Sequence, residues 1–196
     1  MMDTLKGQFL IATPDMADER FAGALVYVVA HGEDGAMGLV VNQALPDMHF
    51  SDILDEVDLG TDDEEIRVSD SLLDKDVLRG GPVDSSRGFV LHTADYFRDG
   101  NSYIVDDNVC LTATLDVLRA IAQGQGPEQS LLALGYCGWG AGQLEAELKQ
   151  NGWLTMEFSD ELLFTVPLDK RYDAALKKIG VTRATLSPQQ GSSLPN

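Results

Sequence analysis

Apolar residues fall in short unbroken runs through the first two-thirds of the chain, then recur at helical spacing in parts of the last third. Segments 9–12 and 24–31 are apolar with β-branched or aromatic members, and Gly32-Glu33-Asp34-Gly35 separates the second from 37–42. That pattern predicts strands, the last two joined as a hairpin. Residues 14–21, with Pro14, Asp15, Asp18 and Glu19, suit a loop or a single helical turn. Ser51 followed by Asp52 predicts a short helix through Val57. The stretch 58–76 carries Asp62-Asp63-Glu64-Glu65 and reads as a solvated loop. Strands at 77–79 and 88–92 flank a glycine-proline loop, Gly80-Gly81-Pro82-Val83-Asp84-Ser85-Ser86. A second meander comes from 102–105 and 109–112 around Asp106-Asp107-Asn108.

The period then changes from two to 3.6. Leu115, Leu118, Ile121 and Ala122 lie at helical spacing, with Thr114 as cap and Gly124 and Gly126-Pro127 as stop. After a strand at 131–134, the run Gly135-Tyr136-Cys137-Gly138-Trp139-Gly140-Ala141-Gly142 reads as a strand-to-helix turn. The helix it opens has Leu144 and Leu148 on one face, Glu145 four residues before Lys149, and Gly152 past its end. A strand at 153–158 precedes a last helix with Tyr172, Ala175, Leu176 and Ile179 on one face, between Pro167 and Gly180. Residues 187–196 are rich in Ser, Pro, Gln and Gly and are expected to form a flexible tail, leaving residues 1–186 as a single domain. Many hairpins with a few separated helices predict an α+β fold with a mixed, largely antiparallel sheet and flanking helices.

Composition narrows the function. A chain of 196 residues, 44% hydrophobic, can bury one core without metal or disulfide support. Thirty-two acidic residues against fourteen basic ones give a formal charge of -18, and no segment concentrates Lys or Arg, which argues against direct nucleic-acid binding. The expected partner is a small molecule or a protein. Two cysteines demand no oxidising compartment, and the N-terminus lacks the basic and apolar regions of a signal peptide. No apolar run approaches the roughly 20 residues that span a bilayer. The expectation is a cytoplasmic protein with no membrane partner, its oligomeric state open.

Generic motifs fit poorly. Gly135-Tyr136-Cys137-Gly138-Trp139 approaches a nucleophile elbow, but Trp139 stands where the final glycine belongs, and His31, His49 and His92 all precede Cys137. Cys137 is therefore read as a small packing residue with a reduced thiol, and no catalytic residue is assigned. As a phosphate cradle the run fails because the third required glycine falls on Gln143 and no Lys-Ser/Thr ending follows, so no cofactor is expected. No histidine pair or CxxC has metal-ligand spacing, so no metal is expected. His31 and His92 each end an apolar run and read as hydrogen-bonded structural histidines.

What remains is a ligand-binding reading. Asn42, Gly80, Gly81, Pro82, Tyr136, Trp139, Gln143 and Glu145 all lie at predicted strand ends or in the turns that follow, and are expected to converge at one surface cleft. Asn42 and Gln143 would supply donors and acceptors, Trp139 a flat apolar wall, and Glu145 a carboxylate for a cationic or hydroxyl-bearing ligand. The alternative is that Gln143 and Glu145 only cap and solubilise their helix. An enzyme of unknown reaction and a protein-interaction adaptor are the competing classes.

Three blocks together are more specific. The first runs from Gly7-Gln8-Phe9-Leu10-Ile11-Ala12 through Pro14, Met16, Asp18, Phe21, Tyr27 and His31 to Gly35-Ala36-Met37-Gly38-Leu39-Val40 and Asn42. The second is Gly80-Gly81-Pro82-Val83 with Gly88-Phe89-Val90-Leu91-His92. The third is Gly135-Tyr136, Gly138-Trp139 and Gly142-Gln143-Leu144-Glu145, continuing to Glu147-Leu148, Asn151 and Trp153. In these blocks the chain resembles the YqgE/AlgH family of bacterial proteins, over about residues 5 to 180. The resemblance implies an α+β domain whose mixed sheet curls into a pseudo-barrel, and a link to transcriptional regulation through genetic association with alginate production. It implies a small Ala or Ser in place of Cys137 in many relatives. It supplies no ligand and no reaction, and this chain shows neither a helix-turn-helix pattern nor the charge for DNA.

Overall fold

The computed structural model describes residues 3–57 and 68–186. In chain order the elements are β1 (Phe9–Ala12), β2 (Leu25–Gly32), β3 (Gly35–Val40), β4 (Ala44–His49), α1 (Phe50–Glu56), α2 (Asp70–Leu73), β5 (Asp76–Arg79) and β6 (Val83–Thr93). They continue with β7 (Ser102–Ile104), β8 (Val109–Thr112), α3 (Leu115–Ala122), β9 (Ser130–Gly140), α4 (Gln143–Lys149), β10 (Trp153–Met156), α5 (Leu168–Lys178) and α6 (Arg183–Leu186). Among the described residues the strands form one sheet in the order β10-β1-β2-β3-β9-β6-β8-β7, with β5 also on β9 and β4 outside β5. Every pairing is antiparallel except that of β5 with β9. The fold is α+β, and the sheet curls into a half-barrel. The curl brings Tyr27 of β2 within reach of the β7–β8 turn, where its hydroxyl donates to Asp106 at 3.1 Å.

Both faces of this sheet are covered, which is why its strands read as unbroken apolar runs rather than as alternation. Phe9, Ile11, Leu25, Tyr27 and Leu39 point into the curl with Leu91 and Leu131, closed by Tyr172, Ala175 and Leu176 of α5. Their neighbours Leu10, Val26, Val28 and Val40 point the other way, onto Cys137, Trp139 and Leu144 of α4. A third cluster lies under α1 and α3, where Phe50, Ile53, Val117 and Leu118 meet Val77, Val90 and Leu132. Helix α5 is tied to the end of β3 by Arg171, whose guanidinium donates to the carbonyls of Val166 and Val41 at 2.7 Å each.

The glycine run is not a strand-to-helix turn. Its first six residues, Gly135 to Gly140, belong to β9, and only Ala141-Gly142 turn, with Gly142 capping α4 at φ 73°. The glycines are there because β9 is the strand that the chain crosses. β5 lies along one edge of β9, pairing Val77 with Leu132 and Arg79 with Leu134. β6 lies along the other edge, pairing Gly88 with Leu134 and Val83 with Tyr136. Gly80-Gly81-Pro82 carries the chain from one edge to the other directly against the β9 backbone. A Cβ on Gly81 would sit 2.2 Å from the Tyr136 carbonyl, and one on Gly135, at φ 77°, would sit 2.5 Å from the Gly81 oxygen.

Other departures have local causes. Val83 to Ser86 are not loop but the start of β6, which accommodates Asp84 at φ 46° by a register shift before Gly88. Strand β4 escapes sequence reading because it contains Pro46, tolerated on an outer strand that meets β5 only irregularly. Helix α1 starts at Phe50 rather than after Ser51, since the His49 N–H donates to Asp52 at 2.8 Å and makes His49 the cap. Asp70 to Leu73 form a short helix within the acid-rich stretch, while Asp62 to Glu65 and the expected tail at 187–196 lie outside the described residues.

The crossing makes a discriminating prediction. Gly135→Ala combines a left-handed backbone with a backbone clash and should lower stability in urea by about 3 kcal/mol or more. Gly124→Ala has nearly the same φ, 73°, but nothing within 4 Å of the added Cβ. It should cost only the left-handed strain, about 1 kcal/mol. Equal urea midpoints for the two variants would show that the crossing does not constrain Gly135.

Candidate functional site

Strand β9 sorts its side chains by parity. Cys137 and Trp139 enter the cluster under α4, while Tyr136 faces the opposite side and meets Phe89 edge-on, with ring centroids 5.8 Å apart. Trp139 is 5% exposed and so is a core residue rather than a cleft wall. Its indole N–H donates to Glu147 Oε2 at 2.6 Å, and the Trp153 indole N–H donates to the same oxygen at 3.1 Å. One carboxylate therefore holds two buried indoles. Sequence reading missed this role for Glu147, although its position four residues after Gln143 on α4 placed it near Trp139.

The remaining predicted side chains are also engaged internally. Gln143 Oε1 accepts the Gly140 N–H at 3.0 Å and closes the turn before α4. Asn42 accepts the Leu25 N–H and donates to the Gly23 carbonyl, both at 2.9 Å, fastening the start of β2. Glu145 Oε1 lies 2.6 Å from His31 Nε2. Because His31 Nδ1 accepts the Leu5 N–H at 3.0 Å, Nε2 carries the proton and donates to Glu145. That bond holds the Glu145 carboxyl below the usual carboxylate range. These residues do not gather at one cleft: Tyr136 and Trp139 occupy opposite faces of the sheet.

Cys137 is fully buried, its Sγ 3.5 Å from the Gly80 carbonyl, and burial pushes its thiol up to about 12. At neutral pH it is a protonated packing group, not a nucleophile. Both cysteines are free. His92 is likewise fully buried. Its Nδ1–H donates to the Thr93 carbonyl at 3.0 Å, so Nε2 accepts the Thr112 hydroxyl at 2.7 Å. Ser102 Oγ continues the chain 2.9 Å from Thr112 Oγ1. Burial holds the His92 pKa below its ordinary value.

The consequence of that neutral imidazole has a definite sign. Below pH ~6.5 the unfolded chain binds a proton at residue 92 that the folded chain resists, so stability is intact above that pH and lost below it. Urea midpoints should fall between pH 7.5 and 5.5, with the His92 contribution bounded by about 1.4 kcal/mol per pH unit. His92→Gln should be less stable at pH 7.5 but show a flatter profile; an unchanged slope would assign the pH dependence elsewhere.

Among the described residues, three surface hollows bear on ligand binding. One, of about 360 Å³, lies between the turn after β1 and α5–α6, lined by Thr13, Met16, Tyr172 and Leu186 among others. A second, about 330 Å³, is lined by Ser69, Ser71, Gly124, Glu128 and Lys75, whose ammonium is engaged with the carbonyl and hydroxyl of Ser130. The third, about 200 Å³, abuts the backbone crossing and is lined by Arg20, Phe21, Val40, Gln43, Arg79, Gly81 and Pro82. Two predicted site residues, Gly81 and Pro82, line this third cleft, and Asn42 adjoins it in sequence through Gln43. Arg20, Phe21, Val40, Gln43 and Arg79 were not expected there. The available signals were that Arg79 directly precedes Gly80, that Gln43 directly follows Asn42, and that Phe21 and Val40 belong to the first family block. Among the described residues, no group of three or more His, Cys, Asp or Glu is placed to hold a metal, and no helix is long and apolar enough to cross a membrane.

The family model described as AlgH-like matches residues 9–184, nearly the whole described domain. The chain belongs to the AlgH-like family. It is 50% identical over 187 residues to a UPF0301 protein of Mesorhizobium japonicum, covering 95% of this chain and 92% of that one. It is 48% identical over 187 residues to one of Methylobacterium sp., covering 95% and 89%. The solution structure of the AlgH protein from Pseudomonas aeruginosa superposes with a TM-score of 0.77 at 39% identity, covering 98% of both chains. A crystal structure of a Corynebacterium diphtheriae protein shares the fold at a TM-score of 0.69 and 18% identity, covering 91% and 88%. The pseudo-barrel implied by the resemblance is thus the AlgH-like fold itself.

In this AlgH-like domain the carboxylate of Glu147 carries a testable share of stability. Glu147→Ala leaves two buried indole N–H groups unpaired and should cost about 2–4 kcal/mol in urea, since each unsatisfied buried donor costs roughly 1–3 kcal/mol. Glu147→Gln keeps an acceptor and should recover at least half of the loss. Equal destabilisation by both variants would mean that charge, not hydrogen bonding, is what the indoles require.

Proposed function

We propose that this AlgH-like domain is a cytoplasmic ligand-binding regulatory protein whose ligand occupies the cleft beside Gly81 and Pro82. The observation that carries the reading is the cleft's wall: Gly81 lines it, and the backbone there is fixed by contact with Tyr136 and Cys137. A wall that cannot relax is preorganised, so little conformational entropy is lost on binding. At about 200 Å³ the cleft lies below the roughly 300–1,000 Å³ of drug-sized sites, which points to a small metabolite. Ligand binding is favoured over catalysis because the groups proposed for chemistry are engaged: the Cys137 thiol is protonated, and His31 and His92 each have both ring nitrogens hydrogen-bonded. Direct DNA regulation is disfavoured by the charge of -18.

A metabolite screen read by thermal shift tests this on the full chain. A ligand present at a hundred times its Kd should stabilise the fold by about 2.7 kcal/mol. Gln43→Trp, which places a bulky ring in the cleft, should keep its unliganded melting temperature within a few degrees and lose the ligand shift. A shift that survives Gln43→Trp would move the site elsewhere. No shift with any metabolite class would favour the protein-interaction reading instead.

A further inference from the structure

The cleft's charge follows from which of its cations is already balanced. Arg20 and Arg79 both line it, in a chain with only fourteen basic residues. Arg20 is balanced in place: Asp18 accepts from its Nε at 3.0 Å and from its Nη2 at 2.7 Å. That bond holds the Asp18 carboxyl below its ordinary range, so the pair stays ionised.

Arg79 is different. Its side chain makes no ion pair and no hydrogen bond with any described residue. Its backbone is held firmly: its N–H donates to the Gln43 carbonyl at 2.8 Å and it pairs with Leu134 of β9. The remaining lining groups are apolar or neutral. Phe21 and Val40 are 7% and 4% exposed and form the floor, Pro82 flanks it, and Gln43 offers an uncharged amide. Among the described residues the lining holds no carboxylate that would favour a cation.

Resting on the ligand-binding reading above, we propose that the cleft receives a small organic oxyanion, a carboxylate or phosphate monoester on a compact apolar body. The charged group meets the Arg79 guanidinium, and the body packs on Phe21, Val40 and Pro82. A guanidinium suits either group because its planar donors match two oxygens at once. The domain's overall negative charge repels anions at long range, so recognition depends on this local contact.

Amide chemical shifts of the full chain, titrated with benzoate, phenyl phosphate and the uncharged benzamide, test the proposal. Both anions, or one of them, should move the amides of Gln43, Arg79 and Gly81, and benzamide should bind at least about tenfold more weakly, the scale of one charge-assisted contact. The benzoate and phenyl phosphate arms distinguish a carboxylate from a phosphate ligand. Arg79→Gln should weaken the preferred anion about tenfold or more, Arg79→Lys less, and Arg20→Gln little, since Asp18 already balances that charge. Equal binding of benzamide, or an Arg79→Gln variant with unchanged affinity and an unchanged amide spectrum elsewhere, would overturn the anion while leaving a ligand site in place. A larger loss from Arg20→Gln than from Arg79→Gln would overturn the assignment to Arg79. If no probe perturbs these amides up to its solubility limit, the oxyanion proposal fails, and the metabolite screen alone then decides whether the cleft binds anything.

Discussion

The contact between the Gly80-Gly81 backbone and the Gly135-Tyr136 backbone is the constraint on which the architecture turns. β9 is paired along both edges, to β3 and β5 on one side and to β6 on the other. A chain leaving β5 and entering β6 has to pass against β9, and two backbones approach that closely only if neither carries a Cβ at the contact. The same crossing recruits neighbouring strands. The Gly80 N–H donates to the Leu134 carbonyl at 2.8 Å, and the Gly80 carbonyl accepts the Val40 N–H at 2.7 Å. Four strands are thus joined at one short segment, and the cleft lies beside it.

This arrangement explains what the sequence disclosed and what it concealed. The β2–β3 and β7–β8 hairpins were legible because turn residues interrupt dense apolar runs, and such runs arise wherever both faces of a sheet are covered. The helices α3 and α5 were legible from their periodic faces. The start of β9 was legible at 131–134, but its continuation through Gly140 was concealed for a physical reason: glycines serve a turn and a backbone crossing equally well, and only the pairing partner distinguishes the two uses. β4 was concealed by Pro46, a residue that excludes a central strand but not an outer one.

The candidate site was less legible than the fold. Asn42, Gln143 and Glu145 have the chemistry of ligand contacts, but the same donors and acceptors are needed to close strand and helix ends, and here they do so. A sequence shows what a polar group can do and not which partner reaches it first. Trp139 illustrates the point, since its indole is directed by Glu147 into the core beside Trp153 rather than outward. Arg79, by contrast, carries no pattern at all. A single arginine among fourteen bases becomes informative only once its neighbour Arg20 is seen to be paired while, among the described residues, Arg79 has no such partner.

The position of the cleft also bears on how occupancy would be felt. Arg79 ends β5, Val40 ends β3, and Gly81 is in the crossing between β5 and β6, so a bound ligand would contact three elements that meet β9. Binding energy at such a junction acts on the relative placement of strands and not on one loop. Phe21 adds a fourth link, because its ring lies 6.4 Å from that of Trp139 and 5.5 Å from that of Trp153 in the cluster beneath α4. A ligand resting on Phe21 would press on the same aromatic group that Glu147 holds from α4. Coupling of this kind requires two arrangements of the packed aromatic cluster, with the ligand favouring one of them. The cleft supplies the contact through which such a preference would act, and α4, carrying Glu147 on the far side of the cluster, is the element whose position would report it.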